Sequence, residues 1–184
     1  MLFTEQILSG VYIIEPEFIH DERGYFTRTY CQKEFQKLGI QDTYVQENTS
    51  YNKKRGTVRG MHYQSSPYEE AKIVSCTQGA IMDVIVDIRD FSSTFGRVLN
   101  VELTEECGKM LYIPEGFAHG FQTLTDNTKV CYQMSEYYHP ESSRGISPLD
   151  PELSIDWPLE TAEISDKDKN LPWLADAGLL NGAR

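Results

Sequence analysis

The chain has 184 residues, 40% hydrophobic and 11% aromatic, which suits one packed globular domain with a sizeable core and excludes a disordered chain. A formal net charge of −11 argues against general binding of a nucleic-acid backbone or an anionic membrane, although a local basic pocket could still hold a phosphorylated small molecule. No apolar run approaches membrane-spanning length, and the N-terminus MLFTEQILSG lacks the basic and apolar regions of a signal peptide. Four cysteines at 31, 76, 107 and 131, without a C-x-x-C pair, read as the reduced thiols of a cytoplasmic protein.

In chain order, VYIIEPEFIHDERGYFTRTY (11–30) reads as extended segments broken by a turn at Asp21–Gly24. CQKEFQKLGI (31–40) predicts a short helix with Phe35 and Leu38 on one face and Gly39 at its end. TYVQENTSYN (43–52) and TVRGMHYQ (57–64) are strand-like around a KKRG turn. IVSCTQGAIMDVIVDIR (73–89) predicts two strands about Gln78-Gly79, with Asp83 and Asp87 on one face of the second. VLNVELT (98–104), KMLYIP (109–114), HGFQTLT (119–125) and KVCYQMSEYY (129–138) continue the strands at short, even spacing. The tail from Ser142 is rich in Pro and Asp, carries a capping-like SDKD (165–168), and predicts a short terminal helix. Many short strands at regular spacing predict a single all-β domain over 1–184, a jelly-roll barrel of the cupin kind with a few short helices.

The stretch TVRGMHYQSSPYEEAK (57–72) gathers Arg59, His62, Gln64, Glu70 and Lys72. On a regular strand Arg59 and His62 would face opposite ways, and a bend at Gly60 could bring both into one cavity. GKMLYIPEGFAHGF (108–121) resembles the second cupin motif, whose Pro-x-Gly turn aims His119 into a barrel mouth. In the first motif His62 stands alone, because Gln64 occupies the place of a second His. His62, His119 and Glu70 could ligate a metal, but tight divalent sites favour three good ligands with supporting shells. Without a metal, His62, Lys72 and Tyr132 are the residue types for proton abstraction beside a carbonyl: a base, a donor at the enolate oxygen, and an acid.

DERGYF (21–26), VQENTSYN (45–52), RGMHYQ (59–64), DVIVDIR (83–89), IPEGFAHGF (113–121), YQMSEYYHPE (132–141), IDWP (155–158) and SDKD, taken in this order and spacing, resemble the dTDP-4-dehydrorhamnose 3,5-epimerase family nearly end to end. The resemblance implies a metal-free jelly roll without a redox cofactor, paired as a homodimer with exchanged N-terminal strands. It implies that His62 is the base, Asp168 its orienting carboxylate, Lys72 the partner of the C4 oxygen, and Tyr132 the acid on the opposite face. Arg23 from the partner subunit, Gln46, Asn48 and Arg59 would hold the pyrophosphate. Phe26 of the partner and Tyr138 would stack on the base, His119 would line the site, and Asp83 would lie near the sugar pocket. The segment Ser65 to Glu70 reads as a solvated loop at the cavity rim. The implied reaction inverts C3 and C5 of a dTDP-linked 4-keto-6-deoxy sugar. Alternatives are inversion at one carbon, a CDP- or GDP-linked sugar, a metal-dependent cupin enzyme, or a non-catalytic sugar-binding jelly roll. Arg28 departs from the pattern, standing where many thymidine-nucleotide members carry Glu.

Overall fold

In a computed structural model describing residues 1–179, the alternation of the sequence resolves into two facing antiparallel sheets. The strands in chain order are β1 (Leu2–Glu5), β2 (Tyr12–Glu15), β3 (Phe18–Asp21), β4 (Gly24–Thr27), β5 (Gln46–Asn52), β6 (Thr57–Gln64) and β7 (Lys72–Gln78). They continue with β8 (Ala80–Asp87), β9 (Val98–Thr104), β10 (Met110–Ile113), β11 (Phe117–Thr123), β12 (Thr128–Met134), β13 (Ser143–Gly145) and β14 (Glu163–Ile164). The first sheet has the order β1-β2-β10-β7-β12-β5, and the second β13-β6-β11-β8-β9, with β14 laid parallel to β6. This interleaved order is that of a jelly roll, as the sequence predicts.

Period-two alternation sorts the side chains into layers. Val74, Cys76, Leu111, Ile113 and Val130 of the first sheet meet Ile81, Ile85, Leu103, Phe117 and Phe121 of the second to form the inner core. Outside the second sheet, Met61, Val84, Val86 and Ala118 are covered by Ile146, Leu153 and Leu174 from the tail. Outside the first sheet, Ile14, Ile73, Met110 and Tyr112 are covered by Phe35 of helix α1 (Gln32–Leu38). Gly39 ends that helix in the left-handed conformation at φ 66°, its N–H returning to Gln36 O. Phe35 is fully buried, but Leu38 is 42% exposed: the one-turn contact that covers the sheet uses Phe35 alone.

Three further features differ from the sequence reading. Leu2–Glu5 pairs with β2 and becomes a sheet edge. β12 stops at Met134 rather than Tyr138, because the backbone beyond it is held by the Gln64 side chain instead of a ladder. The Pro-rich tail contributes the short β13 and β14 through backbone pairing with β6, which its side-chain pattern did not signal. Asp83 and Asp87 do share one face of β8, and both are fully buried. Asp87 takes bonds from Arg89, Ser92 and Thr94 and pins the turn before β9. Helix α2 (Asp166–Lys169) supplies the predicted late helix, followed by a 3-10 turn at Leu174–Asp176. Any continuation past residue 179 lies outside the described residues.

Candidate active site

A cavity of about 440 Å³ lies between the sheets, and its construction begins with an irregularity in β6. His62 pairs with His119 and Arg59 with Phe121, so three steps along β6 match two along β11. That extra residue is a β-bulge, and it turns Arg59 and His62 onto the same, inward face. Gly60 makes it possible. Its φ is +114°, and a Cβ there would lie 2.6 Å from Gly120 Cα and 2.7 Å from His119 O. The bend expected at Gly60 is therefore the device that puts both side chains in one cavity.

His62 reaches a carboxylate from the far end of the chain. Its Nε2 lies 2.7 Å from Asp168 Oδ1, while Asp168 Oδ2 accepts the Gly60 N–H at 3.3 Å. Asp168 is held in place by its own helix start: Ser165 caps α2, its Oγ accepting the Asp168 N–H at 3.0 Å. SDKD is thus both an N-cap and the carrier of a buried carboxylate, 4% exposed. Burial pushes Asp168 up, but the bonds with His62, the Gly60 amide and Ser165 outweigh it and hold its carboxyl below the usual range. With Nε2 occupied by the carboxylate, Nδ1 is the ring nitrogen left to take a proton.

The opposite wall belongs to the first sheet. Lys72 begins β7 and Tyr132 lies on β12, opposite Val74 of β7 and Asn48 of β5. Gln46 and Asn48, two apart on the edge strand β5, also line the cavity. Burial pushes the Tyr132 phenol up, against the pull of Arg59 and a bond with Ser50, so the hydroxyl keeps its proton. Lys72 Nζ meets Glu70 Oε1 at 2.9 Å, both side chains almost wholly enclosed. His119 also faces the cavity, its Nε2 2.8 Å from Asp83 Oδ1. Asp83 does not line the cavity: it lies fully buried behind His119, and burial raises its carboxyl against the pull of His119 and Lys72.

Tyr138 stands half-exposed at the mouth, its N–H donated to Gln46 Oε1. Arg59 donates from Nε to Asn52 Oδ1 at 2.6 Å. Arg23 and Phe26 are not in this cavity. They sit on the β3–β4 hairpin, whose strands among the described residues pair only with each other, with Arg23 bound to Asp21 at 2.5 Å and Phe26 67% exposed. Arg28 follows the hairpin, with its guanidinium 3.5 Å from Glu34. Lys167, next to Asp168 on α2, lines the cavity and was not read from the sequence, where it passes for part of a solvated charge run. Arg59, Lys72 and Lys167 therefore concentrate positive charge inside a strongly acidic chain.

The rim loop is less solvated than its sequence implies, because Glu70 turns inward. Gln64, in the place of a second cupin His, is committed to backbone. Its Nε2 donates to Tyr68 O and Tyr137 O at 2.9 and 3.0 Å, and its Oε1 accepts the His139 N–H at 2.7 Å. His119 is likewise committed to Asp83. Among the described residues no three His, Cys, Asp or Glu side chains gather into a metal-binding set, so these residues do not fit a divalent ion.

Fold and cavity together define a cupin-type jelly-roll enzyme whose site is fitted to moving protons beside a carbonyl. Comparison with known proteins gives the family. The profile described as dTDP-4-dehydrorhamnose 3,5-epimerase matches residues 5–176. The chain is 44% identical to the dTDP-4-dehydrorhamnose 3,5-epimerase of Methanothermobacter thermautotrophicus, covering 91% of each chain. It is 40% identical to the dTDP-4-dehydrorhamnose 3-epimerase of Streptomyces niveus, covering 94% of this chain and 85% of that one. Its fold superposes with a TM-score of 0.91 on the dTDP-6-deoxy-D-glucose-3,5-epimerase of Legionella pneumophila in complex with dTDP-4-keto-L-rhamnose, at 42% identity over 97% and 96% of the two chains. The chain belongs to the dTDP-4-dehydrorhamnose 3,5-epimerase family and is a carbohydrate epimerase.

Proposed function

We propose that the protein converts dTDP-4-dehydro-6-deoxy-D-glucose into dTDP-4-dehydro-L-rhamnose, inverting C3 and C5. The observation that carries this reading is the placement of His62, backed by Asp168 of α2, on one sheet and of Lys72 and Tyr132 on the other, across a single cavity. A ketone at C4 acidifies the protons on both C3 and C5. His62 Nδ1 removes one of them, and Asp168 stabilises the imidazolium that forms. Lys72 donates to the C4 oxygen as it becomes an enolate. Tyr132 returns a proton to the other face of the same carbon, which regenerates the ketone with the centre inverted. One proton leaves and one arrives, so the chemistry needs no redox partner. Gln46, Asn48, Arg59 and Lys167 supply donors for the pyrophosphate, Tyr138 at the mouth stacks on the nucleotide base, and His119 closes the floor beside the sugar.

Solvent deuterium tests this directly. Incubation in heavy water should place deuterium at both C3 and C5 of the dTDP-linked 4-ketosugar. Label at C3 alone would favour a single-carbon enzyme, the activity named for the Streptomyces niveus relative. Retention of the Tyr132 hydroxyl argues for inversion at both carbons. Running the same assay on CDP- and GDP-linked sugars settles the nucleotide.

The working unit in this reading is a homodimer of single-domain chains, 1–184, acting in the cytoplasm on a precursor of cell-surface polysaccharide. Support for the pairing comes from the β3–β4 hairpin, which exposes Ile19, Tyr25 and Phe26 and carries Arg23 away from its own cavity. Exchanged between subunits, it brings Arg23 to the partner's pyrophosphate and Phe26 to the partner's nucleotide base. Arg23→Ala and His62→Ala should each be inactive as pure proteins. Co-refolded in equal amounts, they should regain about a quarter of the parental sites, because each mixed dimer assembles one intact site. No recovery in mixed dimers would place Arg23 at its own subunit's cavity.

A further inference from the structure

Glu70 has chemistry that the proton-transfer set leaves unused. It closes the rim loop and lines the cavity, with its side chain only 5% exposed. One carboxylate oxygen is 2.9 Å from Lys72 Nζ, and the other, Oε2, is buried with no hydrogen-bond partner. A buried carboxylate oxygen without a donor is costly to leave so, and a ligand hydroxyl would satisfy it. The pair offers complementary valences side by side: Lys72 only donates, and ionised Glu70 only accepts. A ketone flanked by a hydroxyl presents the matching set, an oxygen that only accepts next to an oxygen that can donate. These two oxygens sit on neighbouring carbons, as the ammonium and carboxylate sit side by side in one ion pair.

We propose that Glu70 is a specificity-determining residue: its free oxygen accepts a hydrogen bond from the C3 hydroxyl of the sugar while Lys72 holds the C4 ketone oxygen. The site thereby selects α-hydroxy ketosugars. This rests on the functional reading above and deepens it, since it fixes which way the sugar ring sits against His62. Asp83, the other buried carboxylate with an unpartnered oxygen among the described residues, lies behind His119 and out of the cavity, so it does not compete for this role.

The test compares deuterium exchange at C5, a position shared by the natural 4-ketosugar nucleotide and its 3-deoxy analogue. The parent protein should favour the 3-hydroxy sugar in kcat/KM by at least about tenfold, because a site built around a hydroxyl rejects the analogue that lacks it. Glu70→Met keeps the volume and removes the acceptor, and should bring the ratio close to one even if Lys72 works less well on both sugars. Glu70→Gln, which retains a hydrogen-bonding group and serves if the methionine variant does not fold, should lower the ratio at least about threefold by removing the charge-assisted bond. An unchanged ratio in the folded variants, or a parent that does not discriminate, overturns the proposal. A parent that exchanges C5 on neither sugar instead overturns the double-inversion reading on which the proposal rests.

Discussion

Replacing His62 with alanine is expected to lower deuterium exchange at C3 and at C5 together by at least about a thousandfold. Affinity for dTDP should stay within about threefold of the parent, as measured by calorimetry, because the phosphate donors lie on other side chains. The joint loss is the informative part. In the proposed mechanism one base serves both carbons, since the same ketone acidifies both protons and His62 is the more open of the two carboxylate-backed imidazoles lining the cavity. His119 is the other candidate and is likewise backed by a carboxylate, Asp83, but its ring is almost wholly buried. Exchange that survives at either carbon would move the base assignment to His119. A collapse of dTDP affinity would instead make His62 a residue of the binding surface.

Gly60→Ala should be the most damaging change outside the chemistry. The new methyl would meet Gly120 Cα and His119 O at 2.6 and 2.7 Å, both backbone atoms of the neighbouring strand with little freedom to yield. It would also hold a β-carbon at a φ of +114°, a conformation that side chains rarely adopt. Overpacking and backbone strain together should cost about 3 kcal/mol or more in a denaturant titration. Deuterium exchange should fall further than the folded fraction does, because relieving the clash shifts the bulge that aims His62 and Arg59. A variant with normal stability and normal exchange would show that the bulge does not set the site.

Much of this was legible before the structure, for reasons that differ by residue. The regular recurrence of short strands and turn residues is enough for a jelly roll, because each strand's alternation already sorts core from surface. His62, Lys72 and Tyr132 stood out as residue types, and the ordered motifs proposed their roles. Spacing alone could not bring them together, since β7 and β12 are neighbours in one sheet and β6 faces them from the other. Asp168 had a competing account as a helix cap, and the structure shows the cap holding the carboxylate where His62 can use it. Glu70 was read as a possible metal ligand and otherwise as part of a solvated rim, whereas it pairs with Lys72; Lys167 was hidden because an exposed charge in a polar run gives no sign that it borders a cavity. Leu38 erred the other way: its helical phase matches Phe35, but a seven-residue helix lying on a sheet buries only one of the two. The tail strands escaped because they belong to β6's ladder and are specified by its backbone.

The position of Asp168 along the chain has a consequence for biosynthesis. Both sheets draw their strands from residues up to Gly145, apart from the two-residue β14, so a growing chain possesses the elements of its barrel well before the SDKD segment is made. His62 emerges early and waits for its carboxylate, which arrives only when β14 lies down beside β6 and α2 forms behind it. A polypeptide cut before the tail lacks both that carboxylate and Ile146, Leu153 and Leu174, which cover the outer face of the second sheet. The contact between His62 and Asp168 thus joins an early strand to the last elements of the fold, and it forms only once the tail has been made.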